Sequence, residues 1–256
     1  MSEDVNRDIS LRCYALLQTC SKRPEMPAKP ANPDHPAVIC TVDVVLLTLG
    51  EGELQVVLHQ RPQAPFADSW ALPGGYIHAQ RDASAWHAAA RVLQDKTGIV
   101  SPYLEQLATY AGPERDPRGW SVSIVYFALV AEDLLPCDRP GLKRCAVSRL
   151  PKLAFDHREI VDLAVTRVRA KSQYSSLPVY FCGEQMTLPQ LQAVYEAVLG
   201  EPINKVSFRR KIEELGMLEP IEGAQETGQA HRPAQIYRLK PAFQRSLSVV
   251  SRGLNA

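Results

Sequence analysis

Several arginines in the first half of the sequence stand where their side chains could bind a diphosphate. Arg61 ends an apolar run, Arg91 lies in a helical pattern, and Arg115 and Arg118 lie in a polar segment at 113–119. A guanidinium group is planar and offers paired donors that match the oxygens of a phosphate. These residue types point to anion recognition, whereas a solvated hairpin is the other interpretation of the segment 113–119.

The stretch 74–99 would position one of these arginines. Its apolar residues at helical spacing predict one packed face, and they are Trp86, Ala89, Ala90 and Leu93. Gly98 is suited to end the helix, with Lys96 in its last turn near the negative end. Because the first amides of a helix have no internal partner, a glycine-rich loop before it can bind an anion. An ordinary loop and a core helix explain the same pattern.

The same stretch resembles the Nudix box of pyrophosphohydrolases, whose pattern is G-x5-E-x7-R-E-U-x-E-E-x-G-U, where U is apolar. The matching residues are Gly75, Arg91, Leu93, Gly98 and Ile99, with two additional residues in the loop. His78 and Arg81 lie in that loop, where the family has its first glutamate. They would attract anions and could not hold a metal ion.

The resemblance also implies where a hydrolase of this family would bind magnesium, and two of these positions have lost their carboxylate. The three positions are Val92, Asp95 and Lys96, which share one helical face, and only Asp95 keeps a carboxylate. Hard divalent cations need oxygen ligands and local negative charge. We therefore expect no metal site, no catalytic residues and no enzyme activity, with Lys96 excluding the cation but accepting a diphosphate.

Composition narrows the class of protein. With 256 residues, 45% hydrophobic and 22% charged, the sequence is typical of a globular protein with room for two domains. A net charge of +1 gives no overall affinity for nucleic acid, so any basic surface must be local. The six cysteines lack CxxC or zinc spacing, which favours free thiols in a cytoplasmic protein. The most apolar run, 38–49, is short and contains Asp43, so it predicts a buried strand and no membrane span.

Strand patterns precede and follow the box. They occupy residues 37–49, 53–61, 104–112 and 120–130. Strands around a single helix, with a second helix later, predict a mixed α/β sandwich, and the resemblance implies the Nudix fold for 37–155. Residues 1–36 predict a short helix or arm with a Pro-rich linker. Asp156 is expected to cap a helix at about 157–171; His157 could assist in this or orient a ligand.

Two further helices follow within the C-terminal part, residues 156–256. Thr187 with Gln190 forms a capping-box pattern for the first, and Asn204 is expected to cap the second, which closes at Gly216. Two helices joined by a short turn and followed by two strand patterns are typical of a winged helix-turn-helix domain. The predicted fold class is therefore α/β (α+β), a Nudix-fold α/β/α sandwich with a C-terminal winged helix-turn-helix domain.

The second of these helices carries a basic face. Its residues Phe208, Ile212 and Leu215 share one side and must pack inward. Pointing away are Val206, Ser207 and Arg210, flanked by Arg209 and Lys211. A helix that enters the major groove by its N-terminal end would place these residues on DNA. A charged helix of a protein-interaction module is the alternative.

Taken together, the altered Nudix box, the letters LQAVYEAVLG, the helix containing FRRKI and the segment RPA at 232–234 are similar to the Nudix-related transcriptional regulators of NAD metabolism, the NrtR family. The resemblance covers about residues 37–240. It implies a repressor of NAD biosynthesis or salvage genes, a homodimer on a palindromic operator, and release of the DNA by ADP-ribose or a related nucleotide, with no cofactor. The expected effector-binding residues are Arg61, Trp70, Gly75, His78, Arg81, Arg91, Lys96, Arg115, Asp116 and Arg118. The expected DNA-binding residues are Lys205, Ser207, Arg209, Arg210, Lys211 and Arg232. Trp70 and Tyr110 could stack on adenine or simply pack in the core.

Two other functions remain open at this point. One is a working Nudix hydrolase of ADP-ribose or a nucleoside diphosphate sugar with an accessory domain. In that case glutamates in place of Val92 and Lys96 would increase turnover. The other is an adaptor whose C-terminal domain binds protein, which salt-sensitive binding to promoter DNA would exclude.

Overall fold

The computed structural model describes residues 37–101, 103–135, 139–226, 233–244 and 247–249. The predicted N-terminal helix and linker, 1–36, and the predicted DNA contact Arg232 lie outside these residues. Within the described parts of the chain, no helix is long and apolar enough to cross a membrane.

The first described half folds around a seven-stranded mixed sheet. Its strands are β1 (Ile39–Gly50), β2 (Glu53–Gln60), β3 (Trp70–Ala71), β4 (Gly74–Tyr76), β5 (Tyr103–Gly112), β6 (Ser121–Leu129) and β7 (Leu142–Ala146). The order β3-β2-β1-β6-β5 forms the main path, with β4 paired to β1 and β7 paired to β2. β1 and β6 are parallel, and the other pairs are antiparallel. The four predicted strand patterns correspond to β1, β2, β5 and β6.

Alternation along the strands separates two cores, one on each face of the sheet. Val45 and Leu47 of β1 face one core, whereas Val44 and Leu46 face the other. The second core is closed by helix α1 (Ala85–Thr97), and the first by helix α2 (His157–Ser172). This α/β/α sandwich confirms the predicted fold class.

Helix α1 ends where its sequence predicts. Ser84 accepts a hydrogen bond from the amide of His87, and Gly98 ends the helix with φ 78°, in the left-handed region that favours glycine. The predicted packing face is only partly right. Ala89 and Leu93 are buried, but Trp86 is 45% exposed, and Ala88 and Val92 complete the buried face.

The C-terminal half is a winged helix-turn-helix. A short 3-10 helix (Leu177–Phe181) leads to β8 (Met186–Thr187), α3 (Leu188–Leu199), α4 (Lys205–Leu215), β9 (Leu218–Glu226) and β10 (Ala234–Leu239). The three strands form their own antiparallel sheet in the order β8-β10-β9. The predicted capping box of Thr187 and Gln190 is present at α3, and Asn204 caps α4 by accepting from the amides of Val206 and Ser207.

One hydrophobic core joins the two halves. Residues of β1, β2 and β6 belong to the same buried cluster as α2, α3 and α4. The rings of Tyr103 and Tyr180 lie 4.8 Å apart across the junction, and Arg169 of α2 donates to the carbonyl of Val198 in α3 at 3.3 Å. Domains that share a large apolar interface do not move freely against each other. The predicted domain boundary between residues 155 and 156 stays a prediction.

Candidate functional site

Two charged residues of the loop 113–119, Arg115 and Asp116, turn towards the protein interior. Arg115 donates from Nε and Nη2 to the two carboxylate oxygens of Asp156, at 3.0 and 3.1 Å. Its Nη2 also lies 3.6 Å from Oδ2 of Asp43, a residue of β1 that is 6% exposed. The alternative interpretation of this segment as a solvated hairpin is therefore wrong for Arg115 and Asp116, whereas Glu114 and Arg118 are exposed.

Asp43 is the centre of this buried polar cluster. Ser123 donates to its Oδ2 at 2.6 Å, and Nε2 of His157 lies 3.5 Å from Oδ1. Since the amide of Leu72 donates to Nδ1 of His157 at 2.9 Å, the proton of the neutral ring is on Nε2 and faces Asp43. A Cβ on Gly74 would overlap Oδ1 of Asp43, which explains the glycine there. The cluster connects β1, β4, β6 and the start of α2.

Asp156 stands at the N-cap position of α2 but has a different role from the predicted one. Within the described residues its carboxylate makes no hydrogen bond to the first amides of α2. Both of its oxygens accept from Arg115 instead. The expectation of a side-chain cap is wrong, because the loop 113–119 supplies a stronger, charge-assisted partner.

Arg118, in the same loop, contacts two side chains. Its guanidinium pairs with Asp116 at 2.6 Å and donates from Nη1 to the hydroxyl of Tyr76 at 2.6 Å. Burial alone would raise the pKa of Asp116, but the hydrogen bonds from Arg118 outweigh it and lower that pKa. Asp116 is 3% exposed, so it orients Arg118 and does not face solvent.

Arg61, the residue after β2, adds a third arginine to this region. Burial is the main cause that lowers the pKa of its guanidinium, and the positive charge of Arg118 is the next. The Arg61 guanidinium carbon lies 4.7 Å from the ring centre of Phe155, whose φ of 53° is strained for a residue with a side chain. The predicted residues Arg61, Arg115, Asp116 and Arg118 are therefore brought together.

Lys96 is close enough to His59 of β2 for its charge to act on the imidazole. Burial lowers the pKa of His59 to about 4, and the charge of Lys96 contributes in the same direction. Val92 is 3% exposed and packs in the core of α1, where a Cβ on Gly75 would lie 3.0 Å from its Cγ2. Asp95 is 61% exposed and pairs with Arg91 at 3.7 Å.

Arg91 has a different environment from the one expected. Its Nε and Nη2 donate to the two oxygens of Asp82 at 2.7 Å each, and Nη2 also donates to the carbonyl of Tyr76 at 3.0 Å. The fork is thus engaged by a carboxylate that sequence reasoning overlooked. Through these hydrogen bonds Arg91 stabilises the box loop. Direct contact of Arg91 with a diphosphate stays a prediction. His78 and Arg81 of that loop are exposed.

The two residues that could stack on adenine belong to strands of the sheet, Trp70 to β3 and Tyr110 to β5. Trp70 packs beside the first core, with the Lys143 ammonium 5.7 Å from its ring centre. Tyr110 is also partly buried against that core. Contact of Trp70 with an effector stays a prediction.

The exposed face of α4 has most of the predicted residues. Phe208, Ile212 and Leu215 are buried as expected, whereas Lys205, Arg209 and Arg210 are exposed and Ser207 is half-buried. Lys211 is 5% exposed, so its expected place on the flank of the outer face is wrong. It lies on the side of α4 that faces the core.

Sequence reasoning missed Asp82, Tyr76 and Phe155. Asp82 is the one carboxylate of the box loop. Counted back from Arg91, it lies one residue before the position of the family's glutamate, so its pairing with Arg91 could have been predicted from the sequence. Asp43 was noticed only as an acid within an apolar run. Its burial among partners that lie up to 114 positions away along the chain could not be read from local pattern.

Comparison with known proteins agrees with this architecture. A family model described as a NUDIX domain matches residues 40–164, and one described as the NrtR DNA-binding winged helix domain matches residues 178–239. The fold and the site thus define a class of proteins in which a Nudix domain with a cluster of arginines is joined to a DNA-binding winged helix.

Relatives of full architecture identify the family. The chain is 37% identical over 210 residues to the ADPR responsive transcriptional repressor NtrR of Acinetobacter baylyi, covering 80% of this chain and 83% of the relative. A crystal structure of Shewanella oneidensis NrtR complexed with a 27mer DNA is 38% identical, with a TM-score of 0.77, covering 84% of this chain and 98% of that chain. An ADP-ribose pyrophosphatase of Methanocaldococcus jannaschii is 33% identical over 129 residues, which are 50% of this chain and 72% of the relative. The chain belongs to the NrtR family.

Proposed function

We propose that this chain is a transcriptional repressor that binds operator DNA through α4 and releases it when its Nudix domain binds ADP-ribose. The observation that carries the proposal is the continuous core between the Nudix half, with its cluster of arginines, and a helix with a basic exposed face. The relative from Acinetobacter baylyi, named as ADPR responsive, supports ADP-ribose as the effector, and the DNA complex of the Shewanella oneidensis protein supports DNA as the partner.

The arginines near the loop 113–119 suit a diphosphate. After burial, the charge of Arg118 is the largest cause that lowers the pKa of the Arg61 guanidinium, so an anion between the two guanidinium groups would reduce their repulsion. An added diphosphate would also compete with Asp156 for Arg115. ADP-ribose thus acts as an effector, and the proposal includes no cofactor.

Release of DNA would follow from a shift between two states of the protein. Arg115 joins the loop 113–119 to Asp156, the residue before α2, and α2 shares its core with α3 and α4. A ligand that withdraws Arg115 from Asp156 favours a state with a different position of α2. The ligand shifts the equilibrium only by the difference between its affinities for the two states.

The proposal includes a homodimer on a palindromic operator. One winged helix buries too little DNA surface for tight specific binding, and two copies related by a two-fold axis match two half-sites one helical turn apart. The genes of NAD biosynthesis or salvage stay the predicted targets.

A titration of a promoter duplex with the protein at several salt concentrations, followed by ADP-ribose, tests the proposal. We expect affinity to fall steeply with salt and ADP-ribose to release the DNA, whereas AMP and ribose 5-phosphate release less. Arg210→Ala should weaken specific binding by about 1–3 kcal/mol if Arg210 contacts a base. Arg158→Ala, which removes an exposed arginine of α2, is the matched control and should leave binding unchanged. Indifference of the protein to both DNA and ADP-ribose would exclude the function.

A hydrolase is the second candidate, favoured by the similarity to the Methanocaldococcus jannaschii pyrophosphatase. We infer that this chain does not hydrolyse ADP-ribose, because Val92 is buried in an apolar core and Lys96 places an ammonium where the family has a metal-binding carboxylate. Magnesium-dependent release of AMP from ADP-ribose would contradict this. If the chain is a hydrolase, Lys96→Glu should increase its turnover. If it is not, we expect no turnover in the wild type.

A further inference from the structure

Helix α4 presents an apolar side chain at the place where the proposed function puts base edges. Val206 is 77% exposed, which is the largest exposed fraction among the large hydrophobic residues of the described chain. The other large apolar residues of α4 are buried. Packing against the described residues does not explain a valine so exposed on the first turn of a helix.

The direction of Val206 follows from helical geometry. The buried residues of α4 form one stripe, and with 3.6 residues per turn Val206 lies almost opposite the middle of that stripe. Arg210 is four positions further and stands beside it on the same face, with Arg209 on the other flank. Val206 is thus the residue of the first two turns that points most directly away from the core, between two exposed arginines.

The chemistry of the major groove supplies a partner for such a side chain. Among the base edges exposed there, thymine has a methyl group at C5, whereas the other bases offer hydrogen-bond donors and acceptors. Valine holds two methyl groups in a restricted rotamer, so it loses little conformational freedom on contact. The N-terminal residues of a recognition helix are the ones that reach base edges.

We infer that Val206 is a specificity-determining residue that packs against the C5 methyl of a thymine in each operator half-site, with Arg210 hydrogen-bonded to a neighbouring base pair. The inference rests on the proposed function, because it requires α4 to enter the major groove. Val206 discriminates thymine from cytosine by contact with a methyl group, and the arginines around it supply affinity for the backbone and the purine edges.

Replacement of single thymines by deoxyuridine, which lacks only the C5 methyl, tests the contact. The full-length protein is first used to select a binding duplex from a random library, and each thymine of one half-site is then replaced in turn. We expect one position, or two adjacent positions, at which the wild-type protein loses about fourfold in affinity, the equivalent of about 0.8 kcal/mol for a buried methyl group. Val206→Ala should show a similar loss on the thymine duplex and no further loss on the deoxyuridine duplex.

Non-additivity between the protein change and the base change is the decisive result. The matched control is Val100→Ala, which alters an exposed valine outside the winged helix and should keep the full sensitivity to deoxyuridine. Equal loss for Val206→Ala on both duplexes, or the lack of any sensitive thymine, overturns the inference while leaving the repressor function in place. Failure of the protein to select any duplex overturns both.

Discussion

Asp156, the residue directly before α2, accepts hydrogen bonds from the guanidinium of Arg115 with both carboxylate oxygens, at 3.0 and 3.1 Å. The side chains are 18% and 10% exposed, so the pair is largely removed from solvent. It is a polar connection from the proposed effector pocket to the helix that shares its core with the DNA-binding half.

Asp156→Asn should make the repressor more sensitive to ADP-ribose. The amide has the shape of the carboxylate but lacks its charge, so it holds Arg115 less strongly against a competing diphosphate. We expect the ADP-ribose concentration that releases half of the DNA to fall about three- to tenfold, since loss of a charge-assisted hydrogen bond weakens the pair by about 1 kcal/mol or more. Operator affinity without ADP-ribose should change by less than about twofold, since a shift of this size leaves the DNA-binding state the major one in the absence of ligand.

A titration of operator-bound protein with ADP-ribose, followed by anisotropy, measures this shift. Asp162→Asn is the control, because Asp162 forms an exposed pair with Arg158 one turn along α2, and such pairs contribute little. An unchanged or higher half-release concentration for Asp156→Asn would show that Arg115 is not contested by the ligand.

The same pair shows why the sequence predicted α2 but not its first contact. An acid before an apolar helical pattern is a local feature that favours an N-cap, and helix α2 does begin at His157. The competing guanidinium comes from a loop 41 positions earlier, and only the fold brings it there. Local pattern therefore predicted the element correctly and its polar partner wrongly.

Asp82→Asn should destabilise the box loop at neutral pH. Burial would raise the pKa of Asp82, but the hydrogen bonds from Arg91 and the amide of His78 outweigh it and lower the pKa. A carboxyl whose pKa is lower in the folded than in the unfolded protein stabilises the fold at pH values above the unfolded pKa. This contribution is lost as pH falls through the folded pKa. We expect the free energy of unfolding to decrease by about 2 kcal/mol at pH 7, since hydrogen bonds to a charged partner are replaced by weaker ones.

Urea unfolding of the wild type and Asp82→Asn at a series of pH values measures this difference. The two curves should approach each other below about pH 4, where the unfolded carboxyl is protonated. Asp95→Asn is a matched control at the second carboxylate beside Arg91, because Asp95 is exposed and lies farther from Arg91, at 3.7 Å. A difference that does not depend on pH would mean that shape and not charge holds Arg91.

His59→Gln should flatten the loss of stability in mild acid. Burial and the nearby Lys96 lower the pKa of His59 to about 4 in the folded protein, whereas an unfolded histidine titrates near 6.5. As pH falls from about 6.5 towards 4, the unfolded chain binds a proton that the folded chain does not, so stability decreases. The variant lacks this proton uptake, and its unfolding free energy should fall less over that range. His157, whose pKa is also lowered by burial, keeps part of the slope in both proteins.

Chemical denaturation at pH 7.0, 6.0 and 5.0 provides the measurement. His87→Gln, which changes a histidine of α1 hydrogen-bonded to Ser84, is the control and should retain the wild-type slope. A steeper decline for His59→Gln would mean that His59 is protonated in the folded protein.

The winged helix was predicted more completely than the pocket, for a physical reason. The caps at Thr187 and Asn204 join residues two or three positions apart, so their type and spacing are sufficient to predict them. Lys211 was misplaced because its burial depends on what packs beside α4, which helical spacing alone does not contain. The pocket residues are held by partners that lie far apart in the sequence, and resemblance indicated the arginines without indicating Asp43.

The Nudix half and the winged helix should unfold in one transition. The three tryptophans, Trp70, Trp86 and Trp120, all lie in the Nudix half, so fluorescence reports on that half alone. Far-UV circular dichroism also reports on α3 and α4. Because a single buried cluster contains residues of both halves, separation of one exposes the core of the other. Fluorescence and circular dichroism should therefore give coincident midpoints in urea.

A substitution within the DNA-binding half makes this test sharper. Phe208 is fully buried in α4 and packs on Tyr195, with ring centres 5.4 Å apart. Phe208→Ala removes a large core side chain, which costs about 3–5 kcal/mol. If the halves are coupled, the tryptophan transition moves to lower urea by the same amount as the circular dichroism transition. Val206→Ala, on the exposed face of the same helix, should move neither midpoint. A tryptophan midpoint that stays in place while circular dichroism shows an earlier transition would mean that the halves unfold separately. A change at Arg115 would then have to reach α4 by another route than the shared core.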